Sequence, residues 1–298
     1  MSRIPVFTLS KTIKYETKIV AFYDIMGWRS KIEQAGNSRK KAAELKNIVR
    51  LFAQFKAEYE AKNRHLRMRV STFSDNVVVS ATASRRNMLV MMLILAQAQL
   101  YAARRGHYIR GGMTIGKIVH DDHVVFGPAL NRAYYLESEI ADVPRIVVDD
   151  EFMKAFRRKN VESSILLREK GIYFLNPWTL GLAAFAFRGL PKRAISPRGI
   201  LTIVFYELLN AIEPFLGKRG RLQRKIRNRL FWLAGKVLLG LETERREVLL
   251  EDTRALGRFL APARKGGFEV VQGVIVPRQR GRLQAFSVVR GRRGRRQV

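Results

Sequence analysis

Two β-prone runs, each with a single carboxylate set into an otherwise apolar stretch, constrain this chain more than anything else in it. IVAFYDIMGW (Ile19–Trp28) carries Asp24, and VSTFSDNVVVS (Val70–Ser80) carries Asp75. Burying a charge in such a strand is costly unless something compensates it, and a metal ion does so. Alternate residues of a strand share a face, so Phe22 and Asp24 point one way while Ala21, Tyr23 and Ile25 point the other. If the runs pair as neighbours, both carboxylates reach one cation from adjacent tips. Mg2+ and Mn2+ suit that arrangement, since hard ions take carboxylates and complete the shell with substrate phosphates and water.

An aspartate ending a strand is also an ordinary cap or turn residue, and for either one alone that is the simpler account. Their contexts favour the metal. Asp24 runs into Ile-Met-Gly-Trp and then a helical pattern, where a glycine lets backbone N–H groups approach a phosphate at a helix start. Asp75 lies between VSTF and NVVVSA, where a hairpin turn belongs.

The rest of the chain supplies a scaffold for such a pair. Periodicity predicts a strand over 18–26 and helix over 28–62, broken near Gly36-Asn37-Ser38 with Ser38 as N-cap. Strands follow at 66–73 and 76–82, then a helix over 85–105 and a strand from Tyr108 to Val119 turning at Asp121-Asp122. Helix 128–140, a strand Arg145–Val148, a helix from about Asp149 and a last strand Ile172–Leu175 complete the pattern. The order predicts an α+β protein with a ferredoxin-like (βαββαβ) core, an antiparallel sheet with flanking helices.

Residues 1–179 read as one catalytic domain, followed by a breaker-rich linker over Leu180–Gly199. Residues 180–298 form a basic, mostly helical C-terminal region: helical patterns over 200–216 and 221–260, a strand or half-hairpin at Phe268–Val276, and the tail RGRRGRRQV. That region holds 26 Lys/Arg against 8 Asp/Glu and so supplies +18 of the formal charge of +31. Charge of this size draws polyanions, so contact with nucleic acid or a membrane surface is open to this region. Plain packing of RLQRKIRNRLFWLAGKVLLGL as a helix accounts for it equally well. The absence of cysteine rules out disulfides and thiolate metal sites. The opening MSRIPVFTLSKTIKYE has no apolar core of a signal peptide, and MLVMMLILAQAQLYAA (Met88–Ala103) is short for a bilayer span.

Four segments resemble one family. FYDIMGW resembles the F-x-D-I-x-G-F segment of the class III nucleotidyl cyclases, and TFSDNVVVSA their second metal segment, usually written with Gly-Asp. RGGMTIGKIV (Arg110–Val119) and FGPALNRAYYLE (Phe126–Glu137) resemble the later R-x-G-x-x-x-G and G-x-x-x-N-x-A-x-R-L segments, in the same order.

The resemblance implies that Asp24 and Asp75 hold two divalent ions, Mn2+ or Mg2+, with the Ile25 carbonyl on one of them. Amides of Met26, Gly27 and Trp28 would cradle the phosphates, and Phe22 would line the substrate pocket. It implies a head-to-tail homodimer with active sites at the interface, in which Asn131 of the second subunit positions the ribose. Lys170 matches the phosphate-binding lysine. The plainer readings are a helix-start asparagine bonding its own backbone and a surface lysine. The family's transition-state arginine falls on Tyr135, with Arg132 about a quarter-turn from the face of Asn131. Ser71 and Val124 stand where the family reads a purine edge, and neither reads one as the usual buried polar pair does.

With that purine code absent, the chain is similar to the bacterial pyrimidine cyclases of the Pycsar anti-phage systems. Those are cytoplasmic enzymes whose cyclic UMP or cyclic CMP signals to a separate effector. The implied reaction converts UTP, or CTP as second choice, to the 3′,5′-cyclic monophosphate plus pyrophosphate. The alternatives are a purine (adenylate/guanylate) cyclase with an atypical base pocket and a catalytically silent scaffold that binds nucleic acid through its basic half. A cyclic dinucleotide synthase of the Gly-Gly-Asp/Glu-Glu-Phe type is disfavoured because Ser74-Asp75-Asn76 stands at that turn.

Overall fold

The computed structural model describes residues 14–48, 50, 66–156, 165–179, 183 and 197–242, together with the backbone of 268–271 and 274–277. Most of the expected linker, the far half of the helical pattern over 221–260 and the Arg-rich tail lie outside the described residues.

β1 (Glu16–Ile25) leads into α1 (Trp28–Ala35), and α2 covers 39–48 after the break at Gly36. β2 (Arg69–Phe73) and β3 (Asn76–Thr82) form a hairpin, followed by α3 (Arg85–Ala103) and β4 (Ile109–His120). The sheet order β2-β3-β1-β4 is antiparallel throughout. It is the split βαβ arrangement that the βαββαβ pattern predicts. The fold is therefore α+β, with helices flanking one large sheet.

β4 continues into a short β5 (Val125–Phe126), then α4 (Pro128–Tyr135), which widens into a π-turn over Leu136–Ile140. β6 (Ile146–Val148) pairs parallel with β4, and after α5 (Asp150–Phe156) the hairpin β7 (Leu166–Glu169) and β8 (Ile172–Leu175) completes eight strands. β7 is absent from the sequence expectation, because Leu-Leu-Arg-Glu shows no alternation of its own and gains strand character from its partner β8.

The two sheet faces bury different sets. Ile19, Ala21, Tyr23 and Ile25 join Val77, Val79 and the Met91, Met92 and Leu95 side of α3 in the main core. Val20 and Val78 pack with Ile118, Ala129 and Ala133 beneath α4 on the other face, with Phe22 against them. α4 lies directly on the sheet because Gly112 has no side chain. A Cβ there would sit 2.4 Å from the Ala133 carbonyl oxygen and 2.4 Å from Leu136 Cβ.

α6 (Pro197–Ile212) and α7 (Arg221–Glu242) pack against each other. Val204, Leu208, Phe231 and Leu238 share a second core with Ala96, Leu100 and Ala103 of α3, Tyr108 and Trp178. The helical pair is thereby seated on α3 and at the start of β4. Phe268–Val271 pairs antiparallel with Val274–Pro277, so two strands stand where a strand or half a hairpin was expected.

Candidate functional site

Cross-strand register puts the two aspartates at one end of the sheet. Tyr23 pairs with Val77, so Asp24 is the next residue out, beside the β2–β3 turn that carries Ser74 and Asp75. Trp28 holds the turn there: its indole is buried and Nε1 donates to Ser74 Oγ at 3.0 Å. Asp24, Ile25, Gly27, Trp28, Ser74 and Asp75 line one cleft of about 560 Å3.

Arg29 and Glu33 of α1 also line this cleft. Burial, and then the charge of Asp24, raise the Asp75 carboxyl above its ordinary value, while bonds from the Ile25 backbone and the Ser74 hydroxyl pull the other way. On the α4 side stands a third acid, Glu137, almost fully buried on the π-turn. Burial and Asp24 push Glu137 up to about 7 against the pull of Arg110.

Arg110 joins these acids. It is the β4 residue directly opposite Asp24. Its Nη2 donates to Asp24 Oδ2 at 3.0 Å and its Nε to Oδ1 at 3.4 Å, and Nη2 also pairs with Glu137. Burial alone would lower the Arg110 pKa, but Asp24 and Glu137 outweigh it and raise the guanidinium further. Sequence reasoning missed both partners. Arg110 opened a matched segment, but its role depends on register with Asp24. Glu137 lies four and eight residues on from the buried Ala133 and Ala129, a spacing that marks the inward face, but its pairing with Arg110 is a contact that spacing does not show.

The structure brings only part of the predicted set together. Asp24, Ile25, Gly27, Trp28 and Asp75 meet at the cleft. Gly27 holds φ +74°, a left-handed turn that an L side chain rarely adopts. The Met26 N–H donates to the Tyr108 carbonyl at 2.9 Å, so that amide is directed away from the cleft. Phe22 shares the Asp24 face, edge-on to Tyr134 at 5.4 Å between centroids. Ser71 lies in the same cross-sheet row as Phe22 and Gly112. Its hydroxyl is bonded to Nε2 of buried His120 at 2.9 Å, and Ser80 Oγ holds Nδ1 at 2.8 Å.

Asn131 and Tyr135 are exposed on α4. Arg132 Nε donates to Asp149 Oδ2 at 3.3 Å and its guanidinium lies over the Tyr135 ring at 5.3 Å. Asp149, which caps α5 by accepting from the Phe152 N–H, also takes the Thr114 hydroxyl. Arg132 is thus committed away from Asp24. Lys170 is exposed in the β7–β8 turn with Gly171. β8 runs toward the Asp24 end of the sheet, so the turn before it is at the opposite end.

The donor set fits hard divalent ions. Among the described residues no group of three or more His, Asp or Glu is arranged to hold a metal. The protein offers two carboxylates with a carbonyl, and the remaining positions fall to phosphate and water, as Mg2+ sites commonly arrange. Among the described residues no helix is long and apolar enough to cross a membrane.

No family model matches the chain, and no curated protein matches it. Solved structures similar to it include the guanylyl cyclase Cya2, at TM-score 0.40 and 14% identity, covering 55% of this chain and 93% of that one. A cyclase/hydrolase from Silicibacter pomeroyi, described as adenylate/guanylate, aligns at TM-score 0.36 and 20% identity, covering 55% and 98%. A class III adenylyl cyclase-like ATP-binding protein from Pseudomonas aeruginosa aligns at TM-score 0.37 and 12% identity, covering 69% and 46%.

Proposed function

We propose that this protein is a metal-dependent nucleotidyl cyclase that acts on pyrimidine nucleoside triphosphates, UTP before CTP, as a homodimer. The observation that carries the reading is the meeting of Asp24 and Asp75 at adjacent strand tips in one cleft beside a glycine turn and a helix start.

The reaction joins the ribose 3′-oxygen to the α-phosphorus and breaks the bond to pyrophosphate, so negative charge must be held at the entering and leaving oxygens. Bound divalent ions supply that charge stabilisation. Asp24, Asp75 and the Ile25 carbonyl are the residues to hold them. Gly27 and Trp28 present backbone at the start of α1 for a phosphate. Arg110 keeps Asp24 oriented, and its pairing with Glu137 leaves it a partner when Asp24 turns to a cation.

On this reading Asn131 and Tyr135, exposed on α4 outside the cleft of their own chain, serve the site of a second copy, while Lys170 is exposed in a turn at the far end of the sheet. For the base, the Ser71 hydroxyl is already tied to an imidazole buried beside it. So engaged, that hydroxyl does not read a purine edge as the family's buried polar pair does, and a role in antiviral signalling through a separate effector goes with the pyrimidine product. The test is incubation with Mn2+ and each of the four nucleoside triphosphates, with products read by mass. Cyclic UMP or cyclic CMP is the expected product. A cyclic purine product overturns the pyrimidine assignment, and no cyclic product from any nucleotide overturns the enzyme reading.

A further inference from the structure

Resting on that reading, we propose that Arg229 of the C-terminal helix α7 binds the phosphate chain of the substrate in the cleft of its own chain. The basic C-terminal region is then part of the active site.

One face of α7 can be followed across the sheet. Lys236 pairs with Glu169 of β7, and Trp232, one turn earlier, donates from Nε1 to Glu169 Oε2 at 3.2 Å and packs on Phe174 of β8 at 5.6 Å. The Arg145 guanidinium lies over both the Phe174 and the Trp232 rings, at 5.3 and 5.9 Å. Arg145 is the immediate neighbour of the site strand, because its carbonyl accepts the Gly111 N–H at 3.0 Å. Residues three and four apart share a helix face, so Arg229 is the next residue along this stripe, and it feels the charges of Arg110, Asp142 and Asp24.

Its surroundings leave it uncompensated. Arg145 takes Asp142, with Nη2 donating at 2.8 Å. Arg110 takes Asp24 and Glu137. Among the described residues Arg229 makes no ion pair, and its Nε is buried without an acceptor. Burial, followed by repulsion from Arg110, lowers its pKa against the pull of Asp142 and Asp24. A guanidinium held half-buried with spare donors matches a bidentate phosphate. It is also the charge that position 135, a tyrosine, does not bring.

The experiment compares wild type with R229A, R229K and R224A, the last removing an equal charge from an exposed position of the same helix. Mn2+-dependent binding of inorganic pyrophosphate is titrated calorimetrically, KM and kcat for UTP are measured alongside, and each melting temperature is recorded. Loss of a charge-assisted bond predicts pyrophosphate affinity reduced about tenfold or more in R229A. KM should rise in step, R229K should recover part of the loss, and R224A should stay near wild type. The melting temperature of R229A is expected to hold, since no acid is left unpaired. Pyrophosphate affinity in R229A equal to that of R224A overturns the assignment, as does a loss that R229K shares in full and that tracks a falling melting temperature. If wild type cyclises no nucleotide, the cyclase reading fails, and the pyrophosphate comparison still decides whether Arg229 is an anion ligand.

Discussion

Arg110 and Asp24 face each other across β4 and β1, with Nη2 and Nε of the arginine donating to separate carboxylate oxygens at 3.0 and 3.4 Å. The same guanidinium compensates buried Glu137. Removing one partner of a buried ion pair costs about 3–5 kcal/mol, discounted here because the Arg110 and Asp24 side chains are each about one-fifth exposed. R110A is therefore expected to melt earlier than wild type without metal. Mn2+ should raise its melting temperature by more than it raises that of wild type, because the ion meets a carboxylate with no competing partner. Thermal melts with and without Mn2+ check this, and equal Mn2+ shifts would contradict it.

The Trp28–Ser74 bond fastens the Asp75 turn to the Asp24 turn. W28F keeps an aromatic ring at the site, deletes the donor and gives up the volume of the indole's second ring. A single such bond contributes about 1 kcal/mol, so the fold should persist with a small loss of stability. The two carboxylates lose their fixed spacing, and the expected readout is a higher Mn2+ requirement for turnover with an unchanged circular dichroism spectrum.

G112A places a methyl group against backbone. Overpacking of this kind costs about 1–3 kcal/mol, and the carbonyl of Ala133 cannot rotate away as a side chain could. The α4 helix must lift, carrying Glu137 off Arg110. Denaturant unfolding should show the loss. An unchanged midpoint would mean that α4 does not lie on the sheet as described.

His107, in the turn before β4, gives a pH dependence away from the cleft. Burial first, then the charges of Lys31 and Arg105, lower its pKa from the ordinary 6.5 to about 4. The folded state therefore binds this proton less readily than the unfolded chain. The stability it contributes is complete above pH 6.5 and is lost as pH falls toward 4. H107Q should flatten that part of the stability curve in metal-free buffer, while wild type loses stability across it.

How far the sequence alone reached follows from what each feature depends on. The strands around Asp24 and Asp75 were readable because alternation of apolar residues is local, and their antiparallel order followed from the βαββαβ pattern. Arg110, Glu137 and Arg229 were not. Arg110 matters through its register with Asp24, Glu137 through its pairing with Arg110, and Arg229 through a helix more than a hundred residues away in sequence. Arg132, near in sequence to the expected arginine, is drawn instead to Asp149, a cap whose own partner Thr114 comes from β4. Each is a long-range contact, and pattern along the chain carries no signal for it.

On the proposed reading Asp24 and Asp75 act on one ion site. Electron paramagnetic resonance of Mn2+ bound in the presence of a non-cyclisable UTP analogue tests it most directly, in wild type, D24N and D75N. Each single substitution is predicted to weaken the same bound Mn2+ by about tenfold or more, the equivalent of about 1.4 kcal/mol, with the fold retained. If either variant binds Mn2+ as wild type does, the two carboxylates do not share a cation and the account is wrong.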